Sequence, residues 1–192
     1  MFSANASTVS SSYTSNRPTT YDYLKPNGFR LVIQDLPHVS YFCQEVALPG
    51  ISFGSATHAT PFINYPLVGE KVTFSDLDIT FIVSEDMTNY LELYNWMSSI
   101  GDFKDYSKFN QFLQQRENKR LGIDKNNKET LKYSDGSLVI LNSSNIPKIN
   151  IKYTEMFPVD LLPVAFNSTI SNIDYLTCRA TFKYRMFEFE QL

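Results

Sequence analysis

Asp76 and Asp78 lie two residues apart in VTFSDLDITF, a stretch alternating apolar and polar residues. Side chains on a strand alternate between faces, so both carboxylates and Thr80 are expected to share one face. Paired carboxylates can divide acid and base roles in glycoside cleavage. Such sites usually come with a Trp-rich cleft, and this chain has one Trp. A solvated or intersubunit face carrying two charges is the simpler reading. His38 and His58 are the only histidines. Neither has Cys, His or acidic residues at metal-ligand spacing, so both read as turn or surface residues. No glycine-rich phosphate loop and no GxSxG elbow occurs. The chain is read as no enzyme, with no cofactor or metal.

A second set is basic: Lys148, Lys152, Arg179, Lys183 and Arg185. If the two C-terminal strands are neighbours, these residues form one basic sheet face. It would be a solvated face, a surface for an acidic neighbour subunit, or a path for phosphates. Asn150, Thr177 and Thr181 intervene without aromatics, which disfavours base stacking. The formal net charge of -3, from 17 basic and 20 acidic residues, argues against a dedicated nucleic-acid binder. Cys43 and Cys178 are far apart and read as buried thiols of a reducing compartment. No apolar run approaches bilayer length, and the N-terminus lacks the pattern of a signal peptide, so no membrane partner is expected.

These residues need strands to hold them. Phe29–Gln34 alternates, and a second strand, Tyr41–Leu48, is expected to pair back on it as a hairpin. Residues 50–70 carry Ile51, Phe53, Phe62, Ile63, Tyr65, Leu67 and Val68 with two prolines. That apolar content is uncomfortable in a solvated loop, so an extended arm or edge strand packed on something is predicted. Residues 71–83 form one strand whose phase changes at Ser75–Asp76, implying a bulge or a bend between two sheets. Ser84 caps a helix whose apolar stripe runs through Met87, Tyr90, Leu91, Tyr94 and Met97, widened by Leu93, Trp96 and Ile100, and which ends near Gly101. A second helix is predicted over 105–120 inside an excursion of residues 101–136. Ser134-Asp135-Gly136 reads as a hairpin turn. Lys148–Tyr153 alternates and Met156-Phe157-Pro158 breaks it; Val159–Phe166 is an apolar connector. Leu176–Met186 is the last strand. Residues 1–25, rich in Ser and Thr, form a flexible arm before a single domain over 26–192. Aromatics are 15 % of the chain, which suits a β-rich core or contacts between subunits.

The order of these features resembles the tail tube protein family of contractile-tailed bacteriophages. Phe29 to Ile33 is similar to its first strand. Phe42-Cys43-Gln44 with Ala47-Leu48-Pro49-Gly50-Ile51 resembles the second strand and its turn. Pro66 to Gly69 and Val72-Thr73-Phe74-Ser75-Asp76 resemble the loop return and third strand. Asp86 to Trp96 resembles the helix; Ile149–Tyr153, Met156-Phe157-Pro158 and Thr181–Tyr184 resemble the closing strands. The resemblance spans most of residues 27–187.

It implies a mainly β (α+β) fold, a β-sandwich or barrel of antiparallel strands with a flanking α-helix. It also implies six copies in a ring, stacked rings, sheath and baseplate proteins as partners, transient passage of DNA, and a place in the virion tail after assembly in the host cytoplasm. A lumen that must not hold DNA favours Asp76, Asp78 and Thr80 as lumen-facing. Tyr21, Tyr23, Phe53, Phe62, Tyr65, Arg179, Lys183 and Arg185 are then subunit-interface candidates. The long arm and the charged 101–136 excursion depart from a simple tube subunit. They keep open a tube-like baseplate or tube-initiator component. A rival of another class is a carbohydrate-binding β-sandwich module, which needs exposed aromatics on a concave face.

Overall fold

Strand β1 (Phe29–Ile33) buries Leu31 and Ile33 and exposes Arg30 and Val32, the period-2 pattern its sequence predicts. The computed structural model describes residues 21–101, 106–119, 132–169 and 175–192. Residues 1–20 of the predicted arm over 1–25, and residues 102–105 and 120–131 of the 101–136 excursion, lie outside the described residues.

The predicted hairpin of β1 with the following segment does not form. Leu36 enters a five-residue helix, α1 (Pro37–Tyr41), with proline in its first turn. Proline pre-sets helical φ, and its missing N–H costs nothing there. α1 turns the chain away, so the short β2 (Cys43–Val46) pairs with β5 (Leu77–Ile82), while β1 pairs with β6 (Ser134–Leu141). Residues 50–70 are extended, as expected, but pair with each other and residues 71–74 rather than standing as a single arm or edge strand. β3 (Ile51–Ala59) and β4 (Asn64–Phe74) form a separate antiparallel ribbon. The break predicted at Ser75–Asp76 is present: the chain leaves the ribbon there and enters β5.

The main sheet has the order β1-β6-β7-β8-β5-β2, with β7 (Pro147–Leu161), β8 (Thr177–Lys183) and β9 (Met186–Gln191), the last also on β7. The fold is mainly antiparallel β with flanking helices. Its bend between two layers falls on β7. Residues 149–154 of that strand pair with β9, and residues 157–161 pair with β8. At the corner Glu155 has φ 53. Its N–H donates to the Asp135 carboxylate at 3.1 Å, and its own carboxylate accepts from Arg185 at 2.9 Å.

Met156-Phe157-Pro158 therefore does not break the strand, and Val159–Leu161 belongs to it. Proline is tolerated where a strand is an edge or bulged. The register with β8 shifts between Pro158 and Asp160, and among the described residues no strand pairs the other side of this half. Ser134-Asp135-Gly136 is likewise no turn. It lies within β6, where the register with β7 shifts and a Cβ on Gly136 would come within 2.6 Å of the Met156 sulfur. The predicted last strand Leu176–Met186 is two strands, divided at Tyr184–Arg185.

The core lies between the two halves of the bent sheet and helix α2 (Thr88–Ile100), with Ile33, Phe81, Trp96, Ile151, Tyr153 and Phe182 among its largest buried side chains. The helix starts later than Ser84: Ser84 instead accepts from the Thr88 N–H through its hydroxyl, and Met87 takes a left-handed conformation with φ 51. Its buried stripe is Asn89, Leu93 and Trp96, whereas Leu91 and Tyr94 of the predicted stripe are exposed. Asn89 explains the rotation. Its side-chain amide donates to the Ile82 carbonyl at 2.7 Å and its oxygen accepts from Ser84 N–H at 3.2 Å. The polar side chain ties the end of β5 to the helix start, which makes its burial affordable. Helix α3 (Tyr106–Lys119) confirms the second predicted helix.

Candidate assembly surfaces

The half-sheet β2-β5-β8-β7 carries the first candidate surface. Directly opposed residues of an antiparallel pair share a face. Asp78 opposes Thr181 and Thr80 opposes Arg179. Asp78 and Thr80, assigned above to a lumen, thus share one face of one sheet with Arg179, assigned to a neighbour. Thr181 donates to Asp78 at 2.6 Å, and Arg179 donates to it at 2.5 Å. The Thr181 hydrogen bond, followed by those with the Arg179 guanidinium, holds the Asp78 carboxyl below its ordinary value. Asp76 precedes β5 in the link from the ribbon, and its charge bears on Tyr184 instead. The two carboxylates serve different neighbours and do not form an acid–base pair.

The expected basic face is divided. β7 meets β8 through residues 157–161, so Lys148 and Lys152 stand on the other half-sheet. There Lys152 pairs with Glu190 at 2.8 Å. Arg185 pairs with Glu155 at the corner, and Lys183 lies opposite Phe157 at the β7 edge. A phosphate path would need these cations together and unpaired; the fold separates most of them and pairs three with carboxylates.

Two edges of the half-sheet are open. Among the described residues β2 pairs only with β5, and residues 157–161 of β7 pair only with β8. Beside β2 an open groove of about 890 Å³ separates it from β1, lined by Leu31, Ile33, Pro37, Tyr41 and Cys43 among others. Cys43 and Cys178 both oppose Phe81, from β2 and β8. One strand therefore separates the two thiols, a spacing of about 10 Å that no disulfide bridges. Burial pushes each thiol up to about 11, which suppresses the reactive thiolate.

The ribbon is the second candidate surface. Every residue of β3 is exposed, and Phe62 at the tip is 98 % exposed. Phe53 and Tyr65 are exposed on the same element, with Tyr65 edge-on to His58 at 4.9 Å. Tyr21 and Tyr23, ahead of β1, are also exposed. Exposed apolar area of this extent marks interaction sites.

Sequence reasoning missed a buried cation. Arg116 of α3 pairs with Asp35 at 3.3 Å, the two side chains 6 % and 8 % exposed. Its guanidinium lies 4.1 Å from the Trp96 ring centroid and 4.4 Å from that of Phe112, and it donates to the Tyr133 carbonyl. Trp96 donates to the Lys132 carbonyl at 3.2 Å. The only sequence signal was an Arg on the apolar side of a weakly amphipathic helix. Among the described residues no cluster of His, Cys, Asp and Glu could hold a metal, and no helix is long and apolar enough to cross a membrane.

The fold has solved counterparts. The chain is similar to one from the sheath–tube complex of the PVC extracellular contractile injection system in its extended state. Identity is 15 %, coverage 88 % of this chain and 93 % of that one, and TM-score 0.54. A chain of the sheath/tube terminator of the same system has 15 % identity, 89 % and 99 % coverage, and TM-score 0.57. A chain of the anti-feeding prophage tube-terminating cap has 11 % identity, 94 % and 99 % coverage, and TM-score 0.53. Comparison with curated protein sequences finds no match. At these identities the likeness is one of fold. The family model for phage tail tube proteins, however, matches residues 4–190, nearly the whole sequence. On that match the chain belongs to the phage tail tube protein family.

Proposed function

We propose that this tail tube family protein forms the rings of a contractile-tail inner tube, six copies to a ring, with DNA passing through the stacked rings during ejection. The observation that carries the reading is the half-sheet β2-β5-β8-β7, with the Asp78–Arg179 pair on its outer face and two edges that no described strand pairs. Unpaired edges are sticky unless covered. Joining β2 of one copy to residues 157–161 of β7 in the next covers both edges head to tail, a contact that closes into a ring. Six copies of four strands give a barrel of about 24 strands. At about 4.8 Å per strand it is at least roughly 37 Å across between backbones, more once the strands tilt, and wide enough for a duplex.

In this arrangement the face with Asp78, Thr80 and Arg179 lines the lumen. Asp78 offsets Arg179, so phosphates meet few free cations and slide. The ribbon, with Phe53, Phe62 and Tyr65, and the segment with Tyr21 and Tyr23 then serve contacts between copies, as one domain over 26–192 with an N-terminal arm. Sheath and baseplate proteins are the outer partners, and the protein acts as a structural part of the virion, assembled in the host cytoplasm, without catalytic activity.

A second reading places the chain in a baseplate or tube-initiating ring. The clamped helix α3 favours it, because a rigid extra element on the subunit suits a ring that meets other proteins. A carbohydrate-binding module has less support. Its rings should line a concave face, and Phe53, Phe62 and Tyr65 stand on a projecting ribbon.

Negative-stain electron microscopy with mass measurement across a concentration series tests the proposal. Six-fold rings or tubes are expected. A strict monomer at high concentration, even with tail extract as template, would sink it.

A further inference from the structure

The ribbon is held at one end. At its base Ser75 N–H donates to the Gly50 carbonyl at 3.0 Å. The Tyr184 hydroxyl donates to the Ser75 carbonyl at 2.7 Å. Phe74, the last residue of β4, has its ring 6.2 Å from Tyr184 and 5.3 Å from Phe187, between centroids. Tyr153 backs the group at 5.2 Å from Tyr184. Burial, then the charge of Asp76, raises the Tyr184 phenol to about 12, so it stays a donor in neutral solution. Tyr184 also sits at the bend between β8 and β9. One residue thus marks the corner of the sandwich and grips the root of the ribbon.

Above the root the ribbon narrows at a glycine pair. A Cβ on Gly69 would lie 2.3 Å from the Gly54 carbonyl oxygen, beside the register shift between Phe53 and Ser55. Beyond that pair every residue of β3 is exposed. An eleven-residue strand is about 35 Å long. A swing of roughly 10° at its root moves the tip by about 6 Å, an order of magnitude more than a packed interface tolerates.

We infer that Tyr184, with Phe74 and Phe187, is the positioning residue of the ribbon, setting the direction in which it leaves the sandwich before it meets another copy. The inference rests on the reading of the ribbon as an element that docks on neighbouring copies. An aimed ribbon loses little freedom on docking, whereas a loose one must be ordered at the expense of affinity.

The test is a distance distribution between spin labels at the ribbon tip and on the body. Labels are placed through Phe62→Cys and Ser143→Cys in a Cys43→Ser, Cys178→Ala background, below the concentration at which copies associate. The unfolding midpoint is measured alongside. Tyr184→Ala should at least double the width of the distribution while the folded body persists. Tyr184→Phe, which keeps the ring, should recover most of the narrowing. Without labels, Tyr184→Ala should raise the concentration needed for association at least tenfold. If Tyr184→Ala unfolds the chain, Phe74→Ala removes the ribbon's half of the clamp and should broaden the distribution alike. An unchanged width in the folded variants overturns the inference, as does a broadened width with unchanged association. If Phe62→Asp leaves association untouched, the docking reading beneath it fails instead, whatever the widths show.

Discussion

Phe182 and Phe62 are the same side chain in two settings: the first is fully buried in the sandwich, the second 98 % exposed at the ribbon tip. In the sandwich, period-2 alternation sends Leu77, Ile79, Phe81, Cys178, Ala180 and Phe182 into a shared core, while Asp78, Thr80, Arg179 and Thr181 between them face outward. In the ribbon, apolar residues occupy both faces and are exposed beyond its base, where Phe74 packs on Tyr184 and Phe187. One region satisfies its apolar surface within one copy; the other leaves it exposed. The same contrast holds for backbone groups, paired through the middle of the sheet and, among the described residues, open along β2 and the end of β7.

Substitutions can break that comparison. Phe182→Ala should cost about 4 kcal/mol of folding stability, read by denaturant unfolding, because it empties a closed site. Arg116→Met should cost about 3 kcal/mol, since it removes the guanidinium paired with the buried Asp35 carboxylate and stacked on Trp96. Adding Asp35→Asn should return part of that loss; no recovery would mean that the guanidinium's packing on Trp96 outweighs the ion pair. Phe62→Asp should change stability by less than about 0.5 kcal/mol and yet abolish assembly seen by electron microscopy. A large stability loss there would place the tip in the fold of a single copy.

Tyr153→Phe should be neutral, or stabilising by about 1 kcal/mol, because the buried Tyr153 hydroxyl has no hydrogen-bond partner among the described residues. A clear destabilisation would reveal a partner for that hydroxyl. The smallest effect concerns Asp78. Its folded carboxyl titrates below its unfolded value, so its contribution is present above the unfolded pKa and fades as pH falls through the folded one. The difference in unfolding midpoint between wild type and Asp78→Asn should therefore be largest near neutrality and shrink below about pH 4. A difference that grows in acid would contradict the Thr181 and Arg179 contacts.

Period-2 alternation made β1, β5, β8 and the first half of β7 legible in the sequence, because each buries one face only. Pairing partners were less legible. A proline at the start of α1 turned a predicted hairpin into a crossover, and Pro158 failed to end β7 because an edge strand tolerates it. The ribbon read as an extended arm or edge strand, for its excess of apolar residues, but its hairpin register depends on two glycines whose close approach no local pattern shows. The face of α2 was misjudged because a buried Asn89 looks polar in sequence and is held in place by backbone groups from β5. Joining Asp78 to Arg179 required the β5–β8 register, a contact across 101 residues of chain.

Amide hydrogen exchange, compared between dispersed and assembled protein, tests the central claim most directly. The account predicts new protection in β2, at residues 157–161 of β7 and along β3–β4, with β1, β6 and the body of β5 unchanged. Protection spread evenly over the chain, or confined to the helices while those edges and the ribbon exchange freely, would contradict it.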